Sequence, residues 1–280
     1  MAAMRTDPAR DGPAPGSLRY YSVLFAPDDR RPLLESLYGF EHAVAEASAL
    51  ANHEAAHARL QWWRGEIDRL VAGRPEHPVA AGLLPLRTSR GADLGLLHEV
   101  LAAADLDLAR FAYENWRELE AYCFRAAGAL QTLIAAALAG EREPSVAERD
   151  FARALGSSVR QTEMLCDLAG DLARGRLYVP TSALESAGLD AAGVRDEPDS
   201  PALLALLEGW RARLDQELAT LPERLAPAER RTQRPGLVLA ALHRRLLERT
   251  VAPASGANTP PSLGPWKRLW TAWRTAVRYA

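Results

Sequence analysis

Asp167 and Asp171 stand four residues apart at the head of the stretch DLAGDLARGRLYVP, which ends at Pro180. On a helix this spacing turns both carboxylates to one side. Two like charges so placed repel one another unless a cation sits between them. A divalent metal that also holds a diphosphate is one such cation. A neighbouring arginine is the other, and Arg174 follows Asp171 by three residues. Arg174 and Arg176 are candidate diphosphate contacts, because a guanidinium presents a fork of donors to phosphate oxygens. Solvated charges at a helix end would read the same way. Tyr178 either hydrogen-bonds at a cavity mouth or packs within a loop. The chemistry on offer is metal-assisted handling of a diphosphate, with a structural ion network as its rival.

The other reactive side chains add little. His53 and His57 are four residues apart but lack a third ligand nearby in sequence, so a solvated helix face is expected. Cys123 and Cys166, the two cysteines, sit in helical patterns without ligand-like spacing. They suggest neither a zinc site nor a disulfide framework, and a reducing cytosol is the natural compartment.

Helices must position these groups. The chain has 280 residues, of which 48% are hydrophobic, enough for a sizeable core. Alanine, leucine and arginine dominate, β-branched residues are scarce, and no period-two pattern stands out, which predicts an all-α single domain. A formal net charge of −2 argues against a general nucleic-acid binder. Apolar periodicity predicts helices from Pro27 to about Leu50, over Glu54–Val71, from His77, over Gly91–Ala104 and over Tyr113–Gly140. Others are predicted from Pro144 to about Ala173, over Pro201–Leu221 and over Pro235–Thr250. Leu106–Phe111 reads as a brief turn of helix, and Leu177–Ser200 as a connection holding one short helix.

Residues 1–17 read as a loose Pro/Gly/Asp-rich leader, 18–252 as the helical domain and 253–265 as a Pro/Gly/Ser linker. Residues 266–280 form an amphipathic helix carrying Trp266, Trp270 and Trp273 beside Lys267, Arg268, Arg274 and Arg278. An aromatic stripe with basic flanks suits a membrane interface, and docking on the bundle through the tryptophans is the alternative. No apolar run is expected to reach a bilayer's span. The expected location is the cytoplasm, at most peripheral to the inner membrane.

Four segments in order build a resemblance. Leu37-Tyr38-Gly39-Phe40 forms an aromatic lead-in, and Arg59-Leu60-Gln61-Trp62-Trp63-Arg64 precedes Gly73, Pro75 and His77-Pro78-Val79. Glu118-Leu119, Tyr122-Cys123 and Ala127-Gly128 form a third block, and Asp167–Pro180 the fourth. Together they resemble the squalene/phytoene synthase family over roughly residues 20–250. The resemblance implies an isoprenoid-synthase-like helical bundle around a central cavity, with two acidic clusters facing each other across its mouth. In active relatives those clusters hold Mg²⁺, which bridges to a prenyl diphosphate, and two prenyl diphosphates are joined head to head. Mg²⁺ suits this task because it takes carboxylate and phosphate oxygens together and neutralises the leaving diphosphate. The residues implied as catalytic are Asp167, Asp171 and Tyr122, and the metal ligands Asp167, Asp171 and Glu46. Arg174, Arg176, Tyr178, Tyr38 and Phe40 are implied as substrate contacts.

The departures from the family pattern are concentrated on one side. Where its first acidic motif carries aspartates, this chain has Ala45, Glu46 and Ala49, and His42 stands where an arginine is common. Glu46 is the one ligand offered there, with Glu41 a displaced alternative. Before the second motif, Arg160, Glu163 and Cys166 replace glutamine, asparagine and arginine. Disturbing groups that merely support metal ligands typically costs about 10–100-fold in affinity or activity, so losing the ligands themselves should cost more. The expectation is a weak or inactive relative that binds an isoprenoid lipid or a protein partner. A subgroup similar in the Arg59–Arg64 block is of this kind and serves respiratory-complex assembly. The alternative is an active Mg²⁺-dependent prenyltransferase.

Overall fold

The computed structural model describes residues 12–250 and 261–280, which form fifteen α-helices and no strand. Short polar caps and early prolines set most helix starts. Ser17 opens α1 (Leu18–Val23) by accepting from the Tyr20 amide, and Pro32 lies in the first turn of α2 (Arg31–Ser48). Asn52 caps α3 (His53–Val71), and the His77 ring caps α4 (Pro78–Gly82). α5 (Leu96–Leu108) and α6 (Trp116–Cys123) follow, and a π-helical turn over Phe124–Gly128 joins α6 to α7 (Ala129–Ala139). Ser145 and Glu148 form a reciprocal capping box at the start of α8 (Val146–Cys166). The chain bends at Asp167 into α9 (Leu168–Ala173). Then come α10 (Thr181–Ser186), α11 (Ala191–Asp196), α12 (Pro201–Thr220), α13 (Pro227–Thr232), α14 (Arg234–Leu247) and α15 (Pro265–Arg278).

Two apolar clusters fill the bundle. One joins α2, α3, α5 and α7 through residues such as Leu34, Leu37, Leu60, Leu101 and Leu133. The other joins α6, α8, α12 and α14 through Leu119, Phe151, Leu155, Leu214 and Leu239. The seam between them runs along the π turn and α8. There Gly156 meets Gly128 backbone to backbone, so that a Cβ on Gly156 would lie 2.5 Å from the Gly128 Cα. Two absent side chains thus set how closely the halves approach. In the first half, the buried Glu66 carboxylate accepts from the Glu76 and His77 amides at 2.7 Å each, while the Trp63 ring packs on Phe40 and His77. The Arg59–Val79 block is therefore a structural staple.

Several expectations need correcting. The long helix over 113–140 is interrupted by the π turn, and the one expected over 144–173 bends at Asp167. Leu106–Leu108 continue α5, because Leu97, Val100, Leu101, Ala104 and Leu108 share its buried face. The connection 177–200 holds two short helices, and α13 had not been expected. The 24-residue stretch Trp116–Ala139 is long and apolar enough by composition to cross a membrane, and 72% of its most apolar window is buried inside the bundle. Of the leader, residues 1–11 lie outside the described residues; 12–17 turn against the bundle, with the Ser17 amide donating to the Ala14 carbonyl. Of the linker, 253–260 likewise lie outside, and Leu263 is buried against α14 and α15. α15 docks through Ala272 and Ala276, while its three tryptophans face outward.

Candidate functional site

A cavity of about 330 Å³ lies between α2, α5, the π turn and α8, roofed by residues 13–17 and α1. A π turn at this place re-aims the chain, and Ala126 and Ala127 line the wall it makes. Arg19 enters the cavity from α1. Its Nε and Nη2 donate to the Glu41 carboxylate of α2 at 2.5 and 2.8 Å, and its Nη1 donates to Glu163 of α8 at 2.6 Å. One guanidinium therefore ties the two helices that flank the opening. His243, buried at 1% exposure on α14, places Nε2 3.7 Å from Glu163. Burial alone would raise the Glu163 carboxyl, but Arg19, His243 and Arg160 outweigh it and hold it well below the usual carboxylate range. Glu163 is thus an anion held in a cationic nest.

A second network adjoins the first. The Tyr122 and Tyr178 hydroxyls both donate to Asp107 Oδ1 at 2.7 Å. Arg160 Nη2 donates to the same two hydroxyls at 2.7 and 3.2 Å and lies 3.5 Å from Asp107 Oδ2. Its guanidinium carbon stands 5.6 and 5.4 Å from the two ring centres. Burial raises both phenols well above their ordinary values, Asp107 adds to this and Arg160 opposes it, so both stay neutral donors.

The acidic pair closes the outer end. A larger hollow of about 590 Å³ shares Asp107, Arg160 and Glu163 with the first cavity and extends to Asp167, Asp171, Arg174 and Arg176. Arg174 Nη2 donates to Asp167 at 2.5 Å and to Asp171 at 2.8 Å. Burial raises the Asp171 carboxyl, against the pull of Arg174. Arg176 and Arg110 edge the hollow without an ion pair among the described residues, and Arg110 lies over the turn at Gly175. Arg110 adopts φ 51°, a left-handed conformation uncommon for a side-chain-bearing residue.

The structure sorts the expected site residues. Tyr38 lines the cavity and accepts from Gln131 Nε2 at 3.1 Å, and Tyr122 lines it as well. Arg174, Arg176, Asp167 and Asp171 share the outer hollow. Phe40 is a correction: it is 1% exposed, packs edge-on against Trp63 at 5.4 Å and lines neither space. Tyr178 is a buried partner of Asp107 and likewise lines neither. Glu46 is a third correction, since it faces out beside His42 at 3.4 Å and lines neither space, whereas Glu41 points into the cavity. Sequence reasoning missed Arg19, Asp107 and His243. A lone arginine inside the apolar run LRYYSVLF was the available signal for Arg19.

The fit to Mg²⁺ can be judged from the donors. Among the described residues, no group of three or more His, Cys, Asp or Glu side chains could hold a metal ion. Asp167 and Asp171 already share Arg174, Glu163 already shares Arg19, and the facing rim offers Ala45, Ser48 and Ala49. As arranged, the residues do not fit a bridging magnesium cluster.

Helical architecture and site together define an isoprenoid-synthase-like protein. A dehydrosqualene synthase crystallised with a ligand superposes with a TM-score of 0.77 at 18% identity, over 93% of this chain and 90% of that one. Squalene synthase HpnC from Alicyclobacillus acidocaldarius gives 0.61 at 21% identity, over 81% and 88%. The squalene/phytoene synthase profile matches residues 14–274, and the chain belongs to that family. Among its relatives, a chloroplastic phytoene synthase of Narcissus pseudonarcissus is 29% identical over 177 residues, 61% of this chain but only 41% of that protein. A phytoene synthase of Mycobacterium bovis is 25% identical over 234 residues, 81% of this chain and 75% of that protein. The chain thus spans less than half the length of the first of these relatives.

Proposed function

We propose that this member of the family holds a prenyl diphosphate or another isoprenoid lipid in its helical cavity without performing the Mg²⁺-dependent head-to-head condensation. On this reading it is a binding or assembly factor, acting in the cytoplasm with a protein partner. The observation that carries the reading is the Arg19 bridge between Glu41 and Glu163. A metal entering there would have to displace a guanidinium that is covalently part of the chain, and would find alanines opposite. The two free thiols, Cys123 and Cys166, suit a reducing compartment.

The test is direct. Purified protein incubated with farnesyl or geranylgeranyl diphosphate and Mg²⁺ is expected to yield no head-to-head hydrocarbon while still being stabilised by the prenyl diphosphate alone. Metal-dependent product would overturn the reading.

One observation favours a second reading, an active Mg²⁺-dependent prenyltransferase. Arg174 is half exposed, and exposed pairs are worth only about 0–1 kcal/mol, so a metal–diphosphate could replace it at Asp167 and Asp171. Mg²⁺ commonly manages with one or two carboxylates when phosphate oxygens complete its shell. Under that reading Asp171→Ala abolishes turnover.

A further inference from the structure

α15 presents its apolar side to solvent. Trp266, Trp270 and Trp273 are 82%, 59% and 47% exposed, and Leu269 and Val277 extend the same stripe. On a helical wheel these residues cover one continuous face, since they recur at intervals of three and four. Lys267, Arg274 and Arg278 flank the stripe along one edge, and none of them makes an ion pair among the described residues. The helix has no acidic residue. The side adjoining the stripe is fixed: Ala272 and Ala276 pack on α14 and α1, and Arg268 donates to the Gly16 carbonyl. The outward orientation is therefore set by packing against the bundle. Exposed Leu24 continues the apolar surface beside Trp273 and Val277, and the nearby Asp28 is paired with Arg31 at 2.9 Å.

From this face the geometry points to α15 as a docking surface for a membrane rich in anionic phospholipid. Indole rings seat at the headgroup level, where an apolar body and a polar N–H are both satisfied. Lysine and arginine beside them reach headgroup phosphates while their stems stay in the apolar layer. A second copy of the chain is a poorer occupant, because a two-fold contact through this stripe would bring the same three uncompensated cations together. Docking would lay the 13–17 segment, which roofs the cavity, beside the lipid surface through the Arg268–Gly16 contact. The inference is independent of whether the cavity is catalytic.

Vesicle sedimentation of the full chain tests it, with phosphatidylcholine vesicles against vesicles of equal parts phosphatidylcholine and phosphatidylglycerol. The expected result is binding to the anionic vesicles that weakens as salt rises. Trp266→Ser with Trp270→Ser and Trp273→Ser should lower it by about tenfold or more. Lys267→Gln with Arg274→Gln and Arg278→Gln should remove the preference for phosphatidylglycerol. Circular dichroism checks that each variant is folded, and the charge variant carries the test alone if the tryptophan variant is not. Equal binding by wild type and folded variants would overturn the proposal, as would no binding by wild type. So would a dimer that the tryptophan changes dissolve in the absence of any vesicle binding.

Discussion

Arg19 reaches Glu163 across 144 positions of sequence and meets it at 2.6 Å, joining the first helix of the chain to the eighth. The same guanidinium grips Glu41 with two nitrogens. This one residue pairs two of the carboxylates that line the cavity and links α1 to both α2 and α8.

Removing it should be costly. Arg19→Ala leaves two partly buried carboxylates without their cation; loss of one partner from a fully buried ion pair typically costs about 3–5 kcal/mol, an upper bound for side chains that are 18–27% exposed. Urea unfolding should show a fall towards that size. A loss within a few tenths of a kcal/mol would mean that the bridge contributes little.

Acid should act through the same pair. The folded-state pKa of Glu163 lies below its ordinary value of 4.5, so its charge favours the folded state above that pH. That contribution is lost as pH falls through the depressed value. Asp171 has the opposite sign: its pKa is raised above 3.8, so its ionisation opposes folding above that value, and acid relieves it. The stability gap between wild type and Arg19→Ala should therefore be widest above pH 4.5 and narrow as pH falls, and denaturant titrations at several pH values followed by circular dichroism compare them.

The bare rim should accept repair. Ala45 and Ala49 are exposed, so Ala45→Asp with Ala49→Asp should leave stability nearly unchanged. The double variant should gain a rise in Tm with Mg²⁺ and inorganic diphosphate that wild type lacks. A ligand at a hundred times its Kd stabilises by about 2.7 kcal/mol, well within calorimetric reach. An equal response from wild type would show that the Asp167–Asp171 side suffices.

The helix seam should reject a methyl group. Gly156→Ala places a Cβ 2.5 Å from Gly128, where backbone must move. Overpacking of this kind costs about 1–3 kcal/mol, read as a lower denaturation midpoint.

Much of this was legible from residue order. Alanine and leucine at helical spacing marked the bundle, and the Asp167–Pro180 stretch marked one wall of the hollow. What periodicity could not supply was which carboxylates meet. Glu41 and Glu46 both lie on α2, yet the phase of the helix turns the first inward and the second towards His42. Arg19 and Asp107 were invisible for a related reason, since each acquires its role from partners far away in sequence. Phe40 and Tyr38, two residues apart, likewise part company, one into the core beside Trp63 and one onto the cavity wall.

The guanidinium between α2 and α8 is tethered, so it cannot be extracted by chelators or diluted away when magnesium is scarce. On the proposed reading, the positive charge between these two helices is accordingly written into the polypeptide itself and would persist under ionic conditions that strip a bound metal.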